Sequence, residues 1–200
     1  MAAAPNPRAA GCGRIMAIDT EATDMERGVP IQIAYFVADA QTGCVEKEVD
    51  TLVVVPVGAV VNPDATRLHG ITPERASRDG RPLRDVLAEF AEDARGCDYI
   101  VAHNARADRA LLVRACAAVG VALADVPWEC TQLRSTAMCR LRPLASGLKP
   151  PRLAEAHAAL VGKRAPHGGA QPRSHNARSD AEMCMQIWFA LRGPRPAAAP

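Results

Sequence analysis

The stretch RIMAIDTEATD at residues 14–24 decides the architecture of this chain. Residues 14–21 predict a buried strand, because apolar side chains dominate them. Asp19 and Glu21 are two residues apart, so on a strand both side chains leave one face of the sheet and Thr20 leaves the other. Sheets of α/β proteins place their ligand crevices at the carboxyl ends of such strands. We therefore expect a site here, although a turn carrying two acidic residues is the simpler alternative.

The pattern on either side of this strand predicts an α/β fold in which helices cover the sheet. Residues 30–39 and 44–56 read as antiparallel neighbours that complete a three-stranded meander. Short helical turns follow at 62–72. Further strands are predicted at 98–103 and 127–132, and helices at 81–96, 105–120, 151–162 and 177–193.

Length and composition predict one globular domain. The chain has 200 residues, of which 48% are hydrophobic and 23% charged, so it can bury a substantial core. We assign residues 13–192 to the domain, and the Pro-, Gly- and Ala-rich ends 1–12 and 193–200 to disordered tails. Residues 163–174 predict a mobile loop.

The cysteines and the apolar segments predict an intracellular protein, cytoplasmic or nuclear, with no membrane partner. The seven cysteines are an odd number without a CxxC pair, so neither a complete disulfide framework nor a zinc ribbon is indicated. The N-terminus lacks the apolar run of a signal peptide, and no stretch reaches the ~18 apolar residues of a membrane span.

Charge is unevenly distributed along the chain. Residues 1–130 carry 13 basic and 19 acidic side chains, whereas residues 131–200 carry 11 basic and 3 acidic ones. A basic segment attracts polyanions, so Arg134 and Arg140 are candidate phosphate contacts. A basic surface that is merely solvated is equally compatible with this pattern.

Two near-identical hexapeptides, HNARAD at 103–108 and HNARSD at 175–180, open two of the predicted helices. Helical spacing places Asp108 and Asp180 in line with the apolar stripes, and therefore facing the core. Burying an unpartnered carboxylate costs several kcal/mol, roughly. One alternative is that each hexapeptide only starts its helix, with Asn104 and Asn176 as N-caps and the Asp near the positive end of the helix dipole.

The four carboxylates together favour a metal site. Four oxygen ligands in one crevice repel each other unless cations neutralise them, and hard oxygen ligands select Mg²⁺ or Mn²⁺. A pair of such ions can activate water and stabilise the leaving oxygen in phosphodiester cleavage. The pattern therefore predicts a metal-dependent nuclease.

These motifs resemble those of the DEDDh 3′–5′ exonucleases of the RNase T and DNA polymerase III epsilon type, over residues 14–191. IDTEATD is similar to the D-x-E motif of that family, LHGIT to its terminal-nucleotide segment, IVAHNARAD to its second acidic motif and HNARSDA to its H-x4-D motif. CTQ and KPPRLAEAH also resemble the stretch before the last motif.

The resemblance implies an RNase H-like fold with a central mixed sheet of about five strands, the second of them antiparallel. It implies a 3′–5′ exonuclease that releases nucleoside 5′-monophosphates from nucleic-acid 3′ ends, DNA or RNA, with single strands expected. Asp19, Glu21, Asp108 and Asp180 would hold two divalent ions, Mg²⁺ or Mn²⁺, and His175 would be the general base. Substrate contacts would come from Thr20, His69, Ile71 and Asn104.

Several features keep alternatives open. Asp24 stands where the family often has glycine, and Ala107 where an aromatic residue usually precedes the acid. His69 could instead cap a turn, with Ile71 in the core. The chain could also be an inactive nucleic-acid-binding relative, or a proofreading or processing subunit of a polymerase complex.

The remaining candidate residues are expected to be structural. His103 directly continues a strand, which favours a structural role, whereas His175 follows a Gly- and Pro-rich segment and must precede the regular helix to share the site with Asp180. Trp128 and Trp188 are expected in the core and His157 and His167 at satisfied or surface positions.

Overall fold

A computed structural model describes residues 13–24, 28–56, 58–141, 143–144, 147–162 and 175–193. A five-stranded mixed sheet in the order β3-β2-β1-β4-β5 forms its centre. The strands are β1 (Arg14–Ala22), β2 (Pro30–Asp39), β3 (Val45–Leu52), β4 (Tyr99–Ala102) and β5 (Trp128–Cys130). β2 is antiparallel to both β1 and β3, whereas β1, β4 and β5 are parallel. The predicted mixed α/β sheet with an antiparallel second strand is confirmed.

Seven helices connect and cover these strands in the described part of the chain. They are α1 (Pro63–His69), α2 (Pro73–Asp79), α3 (Leu83–Arg95), α4 (Ala105–Val119), α5 (Thr131–Cys139), α6 (Leu153–Leu160) and α7 (Ala177–Leu191), and a small hairpin joins β6 (Pro143–Leu144) to β7 (Gly147–Leu148). The sequence patterns missed α2, α5 and the hairpin, all of which are short. β3 also ends at Leu52, before the predicted residue 56, and Val53 makes only an isolated bridge to Arg81.

The alternating side chains of β1 divide the core into two layers. Met16 and Ile18 pack towards α3 and α4, where Phe90 and Leu112 lie. On the other face Ile15 and Ala17 pack against α7, where Trp188 is fully buried. The sheet is therefore covered on both sides, and Asp19 and Glu21 continue the face that α7 covers.

The parallel neighbour of β1 is shorter than β1 itself. Pairing between β1 and β4 ends at Ala17 and Val101, and β4 ends at Ala102. β1 continues past this point, and its register with β2 is irregular between Glu21 and Ala22. Such bulges change the direction of side chains and are common beside active sites. The carboxyl edge of the sheet thus exposes the end of β1.

The expected tails at residues 1–12, residues 194–200 of the second tail and the loop at 163–174, with His167, lie outside the described residues. No helix in the described ranges combines the length and apolarity needed to cross a membrane. Trp188 lies in the core as predicted, and the partly buried Trp128 packs against the core layer on the opposite face of the sheet. His157 is buried, and its Nε2 lies 2.7 Å from the side-chain oxygen of Gln186, so it is a satisfied histidine.

Candidate active site

A cleft of about 700 Å³ opens at the carboxyl edge of the sheet. Its walls come from the end of β1, the C-terminal end of α1, the first three turns of α4, the first turn of α7 and the start of α6. All four acidic residues predicted to bind metal line this cleft, as does the predicted general base; they are Asp19, Glu21, Asp108, Asp180 and His175.

Asp19 and Glu21 approach the cleft from the α7 side of β1. Glu21 is buried, and its Oε1 makes no hydrogen bond with any described residue. A buried acceptor without a partner is costly unless a ligand supplies the missing interaction. Burial and the nearby Asp180 and Asp108 carboxylates raise the pKa of Glu21 from 4.5 to about 8. The pKa of Asp19 is likewise raised, by burial and by the other three carboxylates.

Asp108 reaches the same cleft from the opposite side of the sheet. It lies in the first turn of α4 and is only 6% exposed, as the helical spacing predicted. The hydroxyl of Thr20, on the α4 face of β1, donates a 2.7 Å hydrogen bond to its Oδ1. Burial raises the pKa of Asp108 to about 7, although the bond from Thr20 acts in the other direction. Thr20 thus faces away from Asp19 and Glu21, and its hydrogen bond positions Asp108, another of the four acidic residues of the cleft.

Asp180 is placed by the start of α7. Asn176 caps this helix by accepting a hydrogen bond from the Ser179 N–H, and the N–H of Ala177 donates to the side chain of Gln32 on β2. These contacts fix the first turn of α7 against the sheet. Burial raises the pKa of Asp180 to about 6, while the neighbouring His175 lowers it.

His175 lies just before α7, as the shared site requires. Its backbone N–H donates to the carbonyl of Leu68 at the end of α1 at 3.1 Å. Its side chain is 56% exposed, and its Nδ1 lies 3.7 Å from Oδ2 of Asp180. Ligand atoms of Glu21, His175 and Asp180 all lie within 4.8 Å of one another. The imidazole is therefore near the acidic group and still open to solvent.

His103, the counterpart of His175 in the first hexapeptide, is held on both ring nitrogens. Its Nε2 lies 3.0 Å from the carbonyl of Pro151, and its Nδ1 lies 3.0 Å from the hydroxyl of Thr131. Because burial lowers the pKa of His103, the neutral ring donates from Nε2 and accepts at Nδ1. His103 therefore connects β4, α5 and the segment before α6, in agreement with the predicted structural role.

The two asparagines of the hexapeptides also behave differently. Asn176 caps its helix, but Asn104 has φ 68° and ψ 46° and makes no capping bond. The alternative in which both asparagines are N-caps does not hold for the side chain of Asn104, because its backbone is left-handed and not in the extended conformation of a side-chain N-cap. Asn tolerates the conformation better than most residues, and such strain often marks functional sites. Asn104 is exposed in the wall of the cleft.

The segment LHGIT separates into a cleft residue and a core residue. His69 is buried and lines the cleft; its Nδ1 accepts from the Ile71 N–H at 3.0 Å, and its Nε2 has no hydrogen-bond partner among the described residues. Burial, together with His175, lowers the pKa of His69, against an opposing effect of the Ala22 carbonyl. Gly70, at φ 72°, allows the sharp turn after α1.

Ile71 does not line the cleft. It is 2% exposed and packs with Ile31, Val61 and Ala76. The predicted contact between Ile71 and a terminal base therefore receives no support from this geometry, because the turn at Gly70 sends the side chain into the core. The alternative, a capping histidine followed by a core isoleucine, describes the local contacts.

Asp24 and Ala107, the two departures from the family pattern, both line the cleft. Oδ2 of Asp24 accepts a 3.0 Å hydrogen bond from the side-chain amide of Asn62, the N-cap of α1. This bond joins the segment after β1 to α1. Ala107 is exposed beside Asp108, so its small side chain leaves the cleft wide at this point.

Comparison with known proteins agrees with this geometry. A family described as Exonuclease matches residues 16–188. The chain belongs to the Exonuclease family. The resemblance inferred from the motifs is thereby confirmed, and the matched range includes all four acidic residues. No curated protein sequence matches this member of the family.

Solved structures share the fold of this exonuclease-family chain. E. coli exonuclease I in complex with a dA16 oligonucleotide aligns with a TM-score of 0.70 and 16% identity, over 92% of this chain and 41% of that one. An exonuclease I from Methylocaldum szegediense aligns with a TM-score of 0.73 and 18% identity, over 93% and 42%. The present chain therefore spans about two fifths of the length of these structures.

Proposed function

We propose that this chain is a metal-dependent 3′–5′ exonuclease that hydrolyses nucleic acids to nucleoside 5′-monophosphates. The observation that carries the proposal is the convergence of Asp19, Glu21, Asp108 and Asp180 on one cleft beside an exposed histidine. Membership of the Exonuclease family supports the same class of reaction. That exonuclease I structures contain oligonucleotides supports a single-stranded nucleic acid as substrate.

The acidic residues fit divalent cations. The pKa values of Glu21, Asp108 and Asp180 are raised by burial, and Glu21 is raised further by its neighbours, so four ionised carboxylates here need compensating positive charge. Oε1 of Glu21 is a buried acceptor that lacks a partner. Oxygen ligands of this kind select Mg²⁺ or Mn²⁺ rather than zinc. Asp19, Glu21, Asp108 and Asp180 would hold two such ions, which when bound supply electrostatic stabilisation of the phosphoryl transfer.

His175 is proposed to accept the proton of the attacking water. Its ring is exposed in the wall of the cleft, and Asp180 lies on the Nδ1 side at 3.7 Å, which suits a base whose proton-accepting nitrogen is Nε2. The bond from its N–H to Leu68 holds the backbone, so the side chain alone can turn towards the water. Hydrolysis then needs no covalent enzyme intermediate.

His69 and Asn104 are the proposed contacts to the 3′-terminal nucleotide. With Nδ1 accepting from Ile71, the neutral ring of His69 carries its proton on Nε2, a buried donor that lies near the Ala22 carbonyl without the geometry of a full hydrogen bond. Asn104 presents its amide from a strained turn in the same wall. The hydroxyl of Thr20 is already donated to Asp108, so we propose that Thr20 acts through that residue rather than by contacting substrate.

The direct test is digestion of labelled oligonucleotides in Mg²⁺. A 5′-labelled single strand should shorten stepwise, and a 3′-labelled strand should release labelled mononucleotide at once. DNA and RNA, single- and double-stranded, are compared side by side. A circular single strand is the control, because it has no 3′ end that an exonuclease could attack. Cleavage of the circle would contradict exonuclease action, and binding without hydrolysis would identify an inactive relative.

A polymerase complex remains a further hypothesis for this chain. Co-purification of a polymerase with the tagged protein would support it. Free protein with full activity and no partner in the same preparation would oppose it.

A further inference from the structure

Three arginines line the cleft together with the acidic residues. They are Arg106 and Arg114 on α4 and Arg152 at the start of α6. All three side chains are exposed. Apart from the histidines, they are the only cationic side chains among the described residues of the cleft wall. Arg106 and Arg114 lie on α4 on either side of Asp108 in sequence, whereas Arg152 belongs to α6.

The spacing on α4 makes a continuous face. Residues 106, 110 and 114 are four apart, so they follow one another along the helix with a drift of about 40° a step, and the face extends about 12 Å. Ala107 and Ala110 lie between the two arginines and also line the cleft. Small side chains leave a shallow floor over which long guanidinium groups can reach an occupant. Asp108, at the metal end, belongs to the same helix.

Within the described part of the chain, the two arginines of this α4 face make no polar contact that supports the fold. Arg106 and Arg114 form no ion pair or hydrogen bond with any other described residue. By contrast Arg178, which occupies the position of Arg106 in the second hexapeptide, pairs with Glu48 and Glu182 and lies over the ring of Phe36. The same residue type in the same motif is thus structural in one copy and uncommitted in the other.

We propose that Arg106 and Arg114 bind the phosphates of the substrate strand upstream of its 3′ end, with Arg152 on the facing wall. The inference rests on the proposed function, because it takes the 3′ end to lie at the four carboxylates. A length of about 12 Å accommodates about three phosphates at the spacing of a stacked strand. Guanidinium groups suit phosphate oxygens, and the floor carries no group that reads a base. Binding along α4 is therefore independent of sequence.

This assignment differs from the arginines that the charge distribution suggested. Neither Arg134 nor Arg140 lines the cleft. Arg134 pairs with Glu129, which also accepts a 2.7 Å hydrogen bond from the indole of Trp188. Arg106 and Arg114 belong to residues 1–130, whose net charge is negative, so the charge distribution gave no indication of them.

The test measures binding by fluorescence anisotropy in EDTA, with an oligothymidylate of about ten nucleotides, a length that single-strand sites commonly cover. The variants Arg106→Gln, Arg114→Gln and the double variant are compared with Arg109→Gln. Arg109 is the matched control, because it is exposed on the same helix but does not line the cleft.

Each cleft variant should raise the Kd and reduce the slope of log Kd against log salt by about 0.7, the value for one phosphate contact to a single strand. Arg109→Gln should change neither. Equal effects of all three single substitutions, or no effect in the double variant, would overturn the proposal. Because anisotropy does not require hydrolysis, phosphate binding by Arg106 and Arg114 can be established even if no nuclease activity is found. The reverse result, an active enzyme whose double variant binds with unchanged affinity, would reject the role of the two arginines and leave the proposed nuclease function intact.

Discussion

The hydroxyl of Thr20 donates a 2.7 Å hydrogen bond to Oδ1 of Asp108, so one residue of β1 connects the two faces of the sheet at the acidic cleft. Asp19 and Glu21 leave β1 on the α7 side, and Thr20 between them leaves it on the α4 side. The position of Asp108 relative to the other three acidic residues therefore depends on Thr20, which is not itself one of the four predicted metal ligands.

Thr20→Val should lower activity by about 10–100-fold, the usual effect of removing a group that orients a metal ligand. Valine keeps the shape of the side chain but cannot donate to Asp108. Activity is measured at several Mg²⁺ concentrations, and Thr20→Ser, which keeps the hydroxyl, is the control. An unchanged Mg²⁺ dependence and turnover in Thr20→Val would show that Asp108 is held without this bond.

Asp108→Asn should abolish cleavage and keep or raise the thermal stability of the metal-free protein. The carboxylate is buried among three others, and the amide removes its charge while still accepting from Thr20. Asp125→Asn, at an exposed position outside the cleft, is the matched control. Near-normal turnover of a folded Asp108→Asn protein would show that Asp108 only helps to start α4 and does not bind a catalytic metal ion.

Alanine substitutions of the two hexapeptide histidines, His103 and His175, should have different effects, one on stability and the other on turnover. His175→Ala should lower turnover by about 10²–10⁴-fold, as for the loss of a positioned proton acceptor, with little change in metal affinity. His103→Ala should reduce the free energy of unfolding by about 1–3 kcal/mol, because it leaves the buried Thr131 hydroxyl and the Pro151 carbonyl with fewer partners. Urea denaturation and turnover are measured for both. Equal losses of turnover in equally stable proteins would contradict the assignment of the base.

Metal-free protein should lose stability as pH rises from about 5 to 8. The pKa values of Glu21, Asp108 and Asp180 are about 8, 7 and 6 when folded, against ordinary values of 4.5 and 3.8, so the folded state holds more protons over this interval. Where the folded state binds more protons than the unfolded state, the free energy of unfolding falls with increasing pH. Below the ordinary pKa values of about 4, both states are protonated and the contribution to stability is constant.

Thermal unfolding in EDTA measures this pH dependence, with about 2–4 °C in Tm for each kcal/mol in a chain of this size. Saturating Mg²⁺ or Mn²⁺ should raise the Tm more at pH 8 than at pH 5.5, restore the activity that EDTA removes, and flatten the profile, whereas Zn²⁺ should not support full activity. A Tm in EDTA that rises between pH 5 and 8, or full activity in EDTA, would contradict four clustered carboxylates that need cations.

The sequence by itself determined the elements whose patterns are local. β2 spans the predicted residues 30–39, because a nearly continuous apolar run between turn residues marks a strand that is buried on both faces. α4 and α7 begin where the hexapeptides indicate, since a 3.6-residue apolar pattern over four turns reflects burial directly. The same spacing placed Asp108 and Asp180 on the inner faces of their helices. Four acidic residues at strand and helix ends were therefore recognisable as one group before any contact was known.

Only the tertiary structure decided what each neighbouring side chain contacts. The two hexapeptides are nearly identical, yet His103 contacts Thr131 and Pro151 while His175 is exposed. Arg178 pairs with Glu48, whereas Arg106 pairs with none of the described residues. Ile71 enters the core because Gly70 turns the chain, and Asn104 is left-handed rather than capping. These outcomes depend on residues tens of positions away, and a local pattern carries no information about which distant surface will pack against it.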